Sequence, residues 1–345
     1  MERCGYISGL KLPGGTVCTV HKASAILFAL LYGNGMTAFV LRAINWRKKT
    51  RSLSEPGKRR TVAAVTPSRS EQSFNRDAAM RRAARQWRLS ILLLLACSPT
   101  SSLAAQSVPR TIHVFVALAD NKNQGIVPVA AVLGNGEDPA RNLYWGSAYG
   151  VKTYFARSAD WQMIASGQRP RPEVLERCIF KHRTQNVYLI ADAYRGSTIQ
   201  QTIMDFLEAA AGGETESVTV KAGTQTLTLN ARGGADLVAY AGHDGLMDFK
   251  LPGLPQGKST RHREAIILAC ISKSYFSAPL RATGATPLVW TTGLMAPEAY
   301  TLKSAIDGWI VHESNDQIRE RAAAAYDKYQ KCGLKGARRL LVTGW

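Results

Sequence analysis

Two uninterrupted apolar runs constrain this chain more than any other feature. Leu237-Val238-Ala239-Tyr240-Ala241 and Ile266-Ile267-Leu268-Ala269 contain no charged residue. A strand with one wet face alternates polar and apolar side chains, whereas a strand covered on both faces, as in a parallel sheet, reads as a continuous apolar run. Each run ends in a reactive side chain: the first leads through Gly242 to His243, the second directly to Cys270. The carboxyl ends of such strands are where open α/β sheets carry their chemistry. Neighbouring strands lie about 5 Å apart, so an imidazole and a thiol at two adjacent strand ends can serve one substrate carbonyl. That pairing suits a cysteine nucleophile assisted by a histidine acid/base.

The remaining periodicity extends the same pattern. Residues 112–118, 187–191, 237–241, 265–269 and 287–290 read as five strands. Between them, 197–211 places Ile199, Ile203, Phe206, Leu207 and Ala210 at helical spacing, and 299–330 reads as a long, broken helical region. Alternating strands and helices predict a three-layer α/β sandwich with a mostly parallel central sheet. One segment departs from this. Residues 217–221 and 226–230 alternate every second position and predict an additional β-hairpin beside the main sheet.

Charge and composition divide the chain near Gln106. Of the 44 Lys and Arg residues, 17 precede it, against 4 of the 25 acidic residues, so the basic balance belongs mostly to the N-terminal stretch. Residues 106–345 carry no basic stripe interleaved with aromatics, which argues against nucleic acid as a partner. Met80 opens a segment with Arg81, Arg82, Arg85 and Arg88, an apolar core from Leu89 to Ala96, and a small-residue stretch ending Leu103-Ala104-Ala105. This is the layout of an export signal, so 80–105 is expected to be a signal peptide. The expected location is periplasmic or secreted. Leu94-Leu95-Ala96-Cys97 offers a lipoprotein box as the alternative, with membrane attachment through Cys97. Residues 1–79 read as a basic, disordered or over-extended N-terminus, with the natural start at Met80, and 106–345 as the folded domain.

An exported domain with Cys178, Cys270 and Cys332 has an odd thiol count. Cys270 is expected to stay reduced, with Cys178 and Cys332 as the pair that could bridge. The Asn/Asp/Gly-rich stretches 120–125 and 134–139 offer Asp120, Glu137 and Asp138 as oxygen donors, but turn chemistry explains them as well. No metal-ligand spacing, dinucleotide fingerprint or serine elbow is present, so neither a metal nor a cofactor is expected.

A catalytic thiol requires help from a cation or a helix start. The residues after Cys270 could begin a helix capped by Ser272 or Ser274. Tyr240-Ala241-Gly242-His243-Asp244-Gly245-Leu246-Met247-Asp248-Phe249 and Ala265-Ile266-Ile267-Leu268-Ala269-Cys270 together resemble the histidine and cysteine segments of the clan CD cysteine peptidases, which include caspases, legumain and gingipains. The resemblance implies a caspase-like fold, a His243/Cys270 dyad that cleaves peptide bonds, and an oxyanion site built from backbone N–H groups at Cys270 and at Asp244 or Gly245. One residue departs from the pattern: the clan has glycine directly after the histidine, whereas Asp244 stands here before Gly245. A negative charge there disfavours a thiolate, so a catalytically inactive binding or scaffold protein of the same fold is the alternative. Asp192, Arg195 and Thr292, each just beyond a strand, are candidate substrate contacts.

Overall fold

The structure, a computed structural model, describes residues 108–345 apart from 224, 259 and 260; the expected N-terminal extension, export signal and lipoprotein box lie outside the described residues. Among the described residues, an eight-stranded sheet and a separate two-stranded sheet are flanked by helices. In chain order the first half comprises β1 (Arg110–Ala117), α1 (Val151–Arg157), β2 (Trp161–Gln168), β3 (Val174–His182), β4 (Val187–Tyr194), α2 (Ile199–Ala210) and the hairpin strands β5 (Thr215–Ala222) and β6 (Gln225–Arg232). The second half comprises β7 (Leu237–Ala241), β8 (Glu264–Leu268), α3 (Ser272–Thr283), β9 (Thr286–Thr291), α4 (Ala299–Ile310), α5 (Asn315–Gln330), α6 (Leu334–Leu340) and β10 (Leu341–Val342).

The strand order is β10-β9-β8-β7-β1-β4-β3-β2. β4, β1, β7, β8 and β9 run parallel, and β2, β3 and β10 complete the edges antiparallel. Taken in chain order, the five parallel strands therefore lie 2-1-3-4-5, which reverses direction between β1 and β7. At such a reversal the two outgoing connections separate and leave a crevice beyond the carboxyl ends.

All five predicted strands and the hairpin are present, with ends shifted by a few residues. The predicted helix over 197–211 is a short 3₁₀ turn followed by α2, and the broken region divides between α4 and α5. Ser314 supplies the break, since its side chain and that of Gln317 form a reciprocal capping box that starts α5. The sequence pattern missed α1, β2, β3, α6 and β10. Cys178 is a buried thiol within β3 and forms no disulfide, so the expected bridge to Cys332 is absent.

Alternation along the central strands divides the core. Ile112, Val114, Val116, Leu189, Ala191, Leu237, Ala239, Ile266 and Leu268 pack on one face with α1, α4 and α5. Phe115, Ala117, Val238, Tyr240, Ala265 and Ile267 pack on the other with α2 and α3. The hairpin extends the cover of this second face, where Val218, Val220, Leu229 and Ala231 meet Ile179, Tyr188 and Ile190. No helix among the described residues is long and apolar enough to cross a membrane.

A buried ionic network ties the hairpin to the sheet. Arg177 donates to both oxygens of Asp192, at 2.6 and 2.8 Å, and to Glu216 at the start of the hairpin. Arg232, at the hairpin's end, donates to Asp205 of α2, which also accepts from Tyr194. His113 completes the network. The Arg232 backbone N–H donates to its Nδ1 at 2.9 Å, so the ring proton must sit on Nε2, which faces Asp192 Oδ2 at 3.0 Å. A second proton on Nδ1 would oppose the Arg232 N–H, and burial likewise pushes the His113 pKa down against the attraction of Asp192. Burial alone would raise the Asp192 carboxyl, but the hydrogen bonds from Arg177 and His113 outweigh it and hold its pKa at about 2.

Because folding keeps His113 neutral, its contribution to stability is complete above the unfolded value of about 6.5 and is lost as pH falls below it. His113→Phe removes that dependence but strands the Arg232 N–H and one Asp192 lone pair, at a cost of about 3 kcal/mol. Thermal melts from pH 8 to pH 4.5 are expected to show the variant less stable at pH 8 and its deficit shrinking as pH falls. Parallel curves would contradict the neutral-histidine assignment.

Candidate functional site

Parallel pairing of β7 with β8 sets the geometry of the site. Ala241 is in register with Leu268, and the Gly242 N–H continues the ladder to the Leu268 carbonyl at 3.2 Å. His243 and Cys270 each lie two residues beyond that last pair, in the connections that leave the two neighbouring strands. Gly242 makes the turn possible, because a Cβ there would meet the Ala117 carbonyl oxygen and Cβ at 3.0 Å.

His243 is held by its own loop. Its carbonyl accepts from the buried Tyr240 hydroxyl at 2.7 Å, and its Nε2 lies 2.6 Å from Asp248 Oδ2. Between these anchors the chain makes a tight turn. Asp244 Oδ1 accepts from the Leu246 N–H, and the Met247 N–H donates to the Asp244 carbonyl. Gly245 is required where Phe249 crosses the turn, since a Cβ would lie 2.6 Å from its ring. The Gly245 N–H donates to the His243 carbonyl, which removes it from the expected oxyanion donors. The Asp244 and Cys270 backbone N–H groups, in contrast, have no hydrogen-bond partner among the described residues.

Cys270 is held from the other side. Its Sγ accepts from the Met295 N–H at 3.4 Å and donates to the Met295 carbonyl at 3.6 Å, so the connection after β9 grips the thiol. Burial pushes the Cys270 pKa up, the Met295 N–H opposes that, and the Asp244 charge adds to it. Asp244 is itself fully buried, with Oδ2 unpartnered. Its pKa is raised to about 7, chiefly by burial, with the Leu246 N–H opposing and the Asp248 charge adding to the rise. No hydrogen bond joins His243 to Cys270 among the described residues.

The start of α3 differs from expectation. Neither Ser272 nor Ser274 is the cap; Ile271 holds that position in the left-handed region, at φ 49°. Ser272 instead hydrogen-bonds to Thr291 and to the Ile267 carbonyl, tying α3 to β8 and β9. This fixes the chain just past Cys270, where the Ile271 N–H donates to the Gly293 carbonyl.

An open cleft of about 440 Å³ lies at the reversal between β1 and β7, with His243 and Asp248 in one wall. Asn123, Gln124 and Gly125 after β1, and Ser197, Ile199 and Gln200 after β4, supply the others. Cys270 is not among its lining residues. Asp192 does not reach it either, since the side chain is 1% exposed and bound to Arg177 and His113. Arg195 pairs with Glu137 at the surface, and Thr292 hydrogen-bonds to the end of α6 through Leu340. The Asp120 carboxylate is occupied by the Lys122 and Asn123 N–H groups and the Asn123 amide, as turn chemistry requires. No cluster of potential metal ligands is found among the described residues. Gln124 and Gly125 belong to the 120–125 stretch that the sequence offers as a substrate or ion loop or as plain turn chemistry, whereas the place of Asp248 and Phe249 in the cleft depends on two connections meeting across the sheet.

The Asp244 charge develops as pH rises through about 7, beside a thiol that it disfavours as thiolate. Asp244→Asn is therefore expected to speed Cys270 alkylation by iodoacetamide severalfold at about pH 8.5 and to leave it unchanged near pH 6. Equal rates at both pH values would show that the carboxyl does not act on the sulfur. No protein-family model, curated protein or solved structure matches the chain.

Proposed function

We propose that the domain is an exported cysteine peptidase of caspase-like fold in which Cys270 attacks a peptide carbonyl and His243 moves the proton. The observation that supports the reading is the parallel register of β7 and β8, after which His243 and Cys270 each follow two residues beyond the last pair. In the proposed reaction His243 takes the Sγ proton as sulfur bonds to the carbonyl carbon, and passes it to the departing amine as the C–N bond breaks. Water then hydrolyses the thioester, giving a proton to His243 that returns to sulfur. The unengaged Asp244 and Cys270 N–H groups are the donors for the oxyanion.

A peptide or protein substrate also suits the surroundings. Val127, Met247, Tyr275 and Leu294 are exposed large apolar side chains on the segments that leave β1, β7, β8 and β9. The grip of Met295 on the thiol must loosen for attack, which makes the described arrangement the resting one. That grip, together with the buried Asp244, also supports a second reading, a non-hydrolysing binding protein. Membrane attachment through a lipid on Cys97 is the alternative to a cleaved signal within the export proposal.

The test is cleavage of a fluorogenic peptide library by residues 106–345. Cys270→Ala and His243→Ala are each expected to lower kcat/KM at least about a thousandfold. Cleavage that survives both changes would overturn the peptidase reading. A wild-type protein that cleaves nothing, with a Cys270 no more reactive than free cysteine, would favour the binding protein.

A further inference from the structure

We infer that Asp248 is the positioning residue of His243: it fixes the ring proton on Nε2 and leaves Nδ1 as the working base, so that the site is a Cys270–His243–Asp248 relay. The inference rests on the proposed partnership of Cys270 and His243, but its core concerns one histidine and one carboxylate and is measurable without turnover.

Three observations carry it. Asp248 Oδ2 lies 2.6 Å from His243 Nε2, a charge-assisted distance, and an ionised carboxylate can only accept. A neutral ring bound this way must carry its proton on Nε2. His243 Nδ1 has no hydrogen-bond partner among the described residues, so nothing competes for the other tautomer.

The second observation is that the contact is built by the turn. Tyr240 pins the His243 carbonyl, Asp244 Oδ1 caps the turn at Leu246, and the Asp248 N–H donates to the Gly245 carbonyl at 2.9 Å. These bonds return residue 248 to the ring of residue 243. Gly245 admits the Phe249 ring that closes the turn. Side chains five residues apart do not meet by helical or strand periodicity, so the carboxylate reaches the imidazole only because the turn folds back.

The third is the space left on the far side of the carboxylate. A Cβ on Gly125 would lie 3.1 Å from Asp248 Oδ1 and 3.2 Å from Oδ2, tighter than ordinary contact. A bare glycine from the β1 connection thus backs the carboxylate in the cleft wall. Asp248 is 46% exposed, whereas Asp244 of the same turn is fully buried. The two carboxylates of one turn thereby take different tasks, one capping the turn and one orienting the base.

Asp248→Asn separates orientation from mere packing. An asparagine amide can donate to Nε2, which selects the opposite tautomer with the proton on Nδ1 and disables the base. Asp248→Ala leaves the tautomer unselected. With ¹⁵N-histidine labelling, at a pH where the resonances show a neutral ring, the wild type is expected to give a protonated Nε2 and a bare Nδ1. Asp248→Asn is expected to give the reverse and Asp248→Ala a mixture. Where peptide cleavage is detected, Asp248→Asn should lower kcat roughly a hundredfold or more with KM little changed, and more severely than Asp248→Ala. A wild-type ring protonated on Nδ1, or one tautomer shared by all three proteins, would overturn the relay. If the tautomers behave as expected but the wild type cleaves no peptide, the peptidase reading fails and the positioning role stands.

Discussion

The parallel ladder between β7 and β8 is the constraint on which the site depends. A one-residue slip in that ladder would exchange the faces of every side chain on β8. Ile266 and Leu268 would leave the core they share with α4 and α5, and Ala265 and Ile267 the one they share with α2 and α3. Both faces are buried, so the register is held by hydrophobic packing on two sides at once. Its consequence is chemical. The connections that carry His243 and Cys270 leave neighbouring strands whose register is fixed.

Beyond the strand ends, polar contacts take over from apolar packing. Tyr240 beneath His243, the Asp244 cap and the Ser272–Thr291 pair behind Cys270 fix the short connections that leave the strands. On the second face, the His113–Asp192–Arg177–Glu216 chain fastens the hairpin over a part of the sheet that the helices leave to it. Removing a single member of such a network leaves a buried charge without compensation. Among the described residues, the thiol itself hydrogen-bonds to the backbone of Met295.

The legible part of the fold was the part with strong periodicity. The runs at 237–241 and 265–269 identified two central strands to within a residue, because burial on both faces leaves an unbroken apolar signature. β2 and β3 were missed for the converse reason. Met163, Ile164, Lys181 and His182 belong to an antiparallel edge pair interrupted by register shifts, whose mixed sequence resembles a loop. The positions of His243 and Cys270 just past two central strands could be read from the apolar runs before them. Asp192 could not be placed from sequence, since a carboxylate at a strand's end can face solvent or, as here, an internal arginine. Asp248 was hidden by a turn, and Met295 by a contact across 25 residues.

The central claim is that the imidazole and the thiol act on each other. The most direct measurement is the pH profile of Cys270 alkylation in the wild type beside His243→Ala, with the modified site confirmed by mass spectrometry. The account predicts that loss of the imidazole slows alkylation severalfold near neutral pH and moves the profile to higher pH, because the thiol has lost its proton acceptor. Superimposable profiles would contradict it.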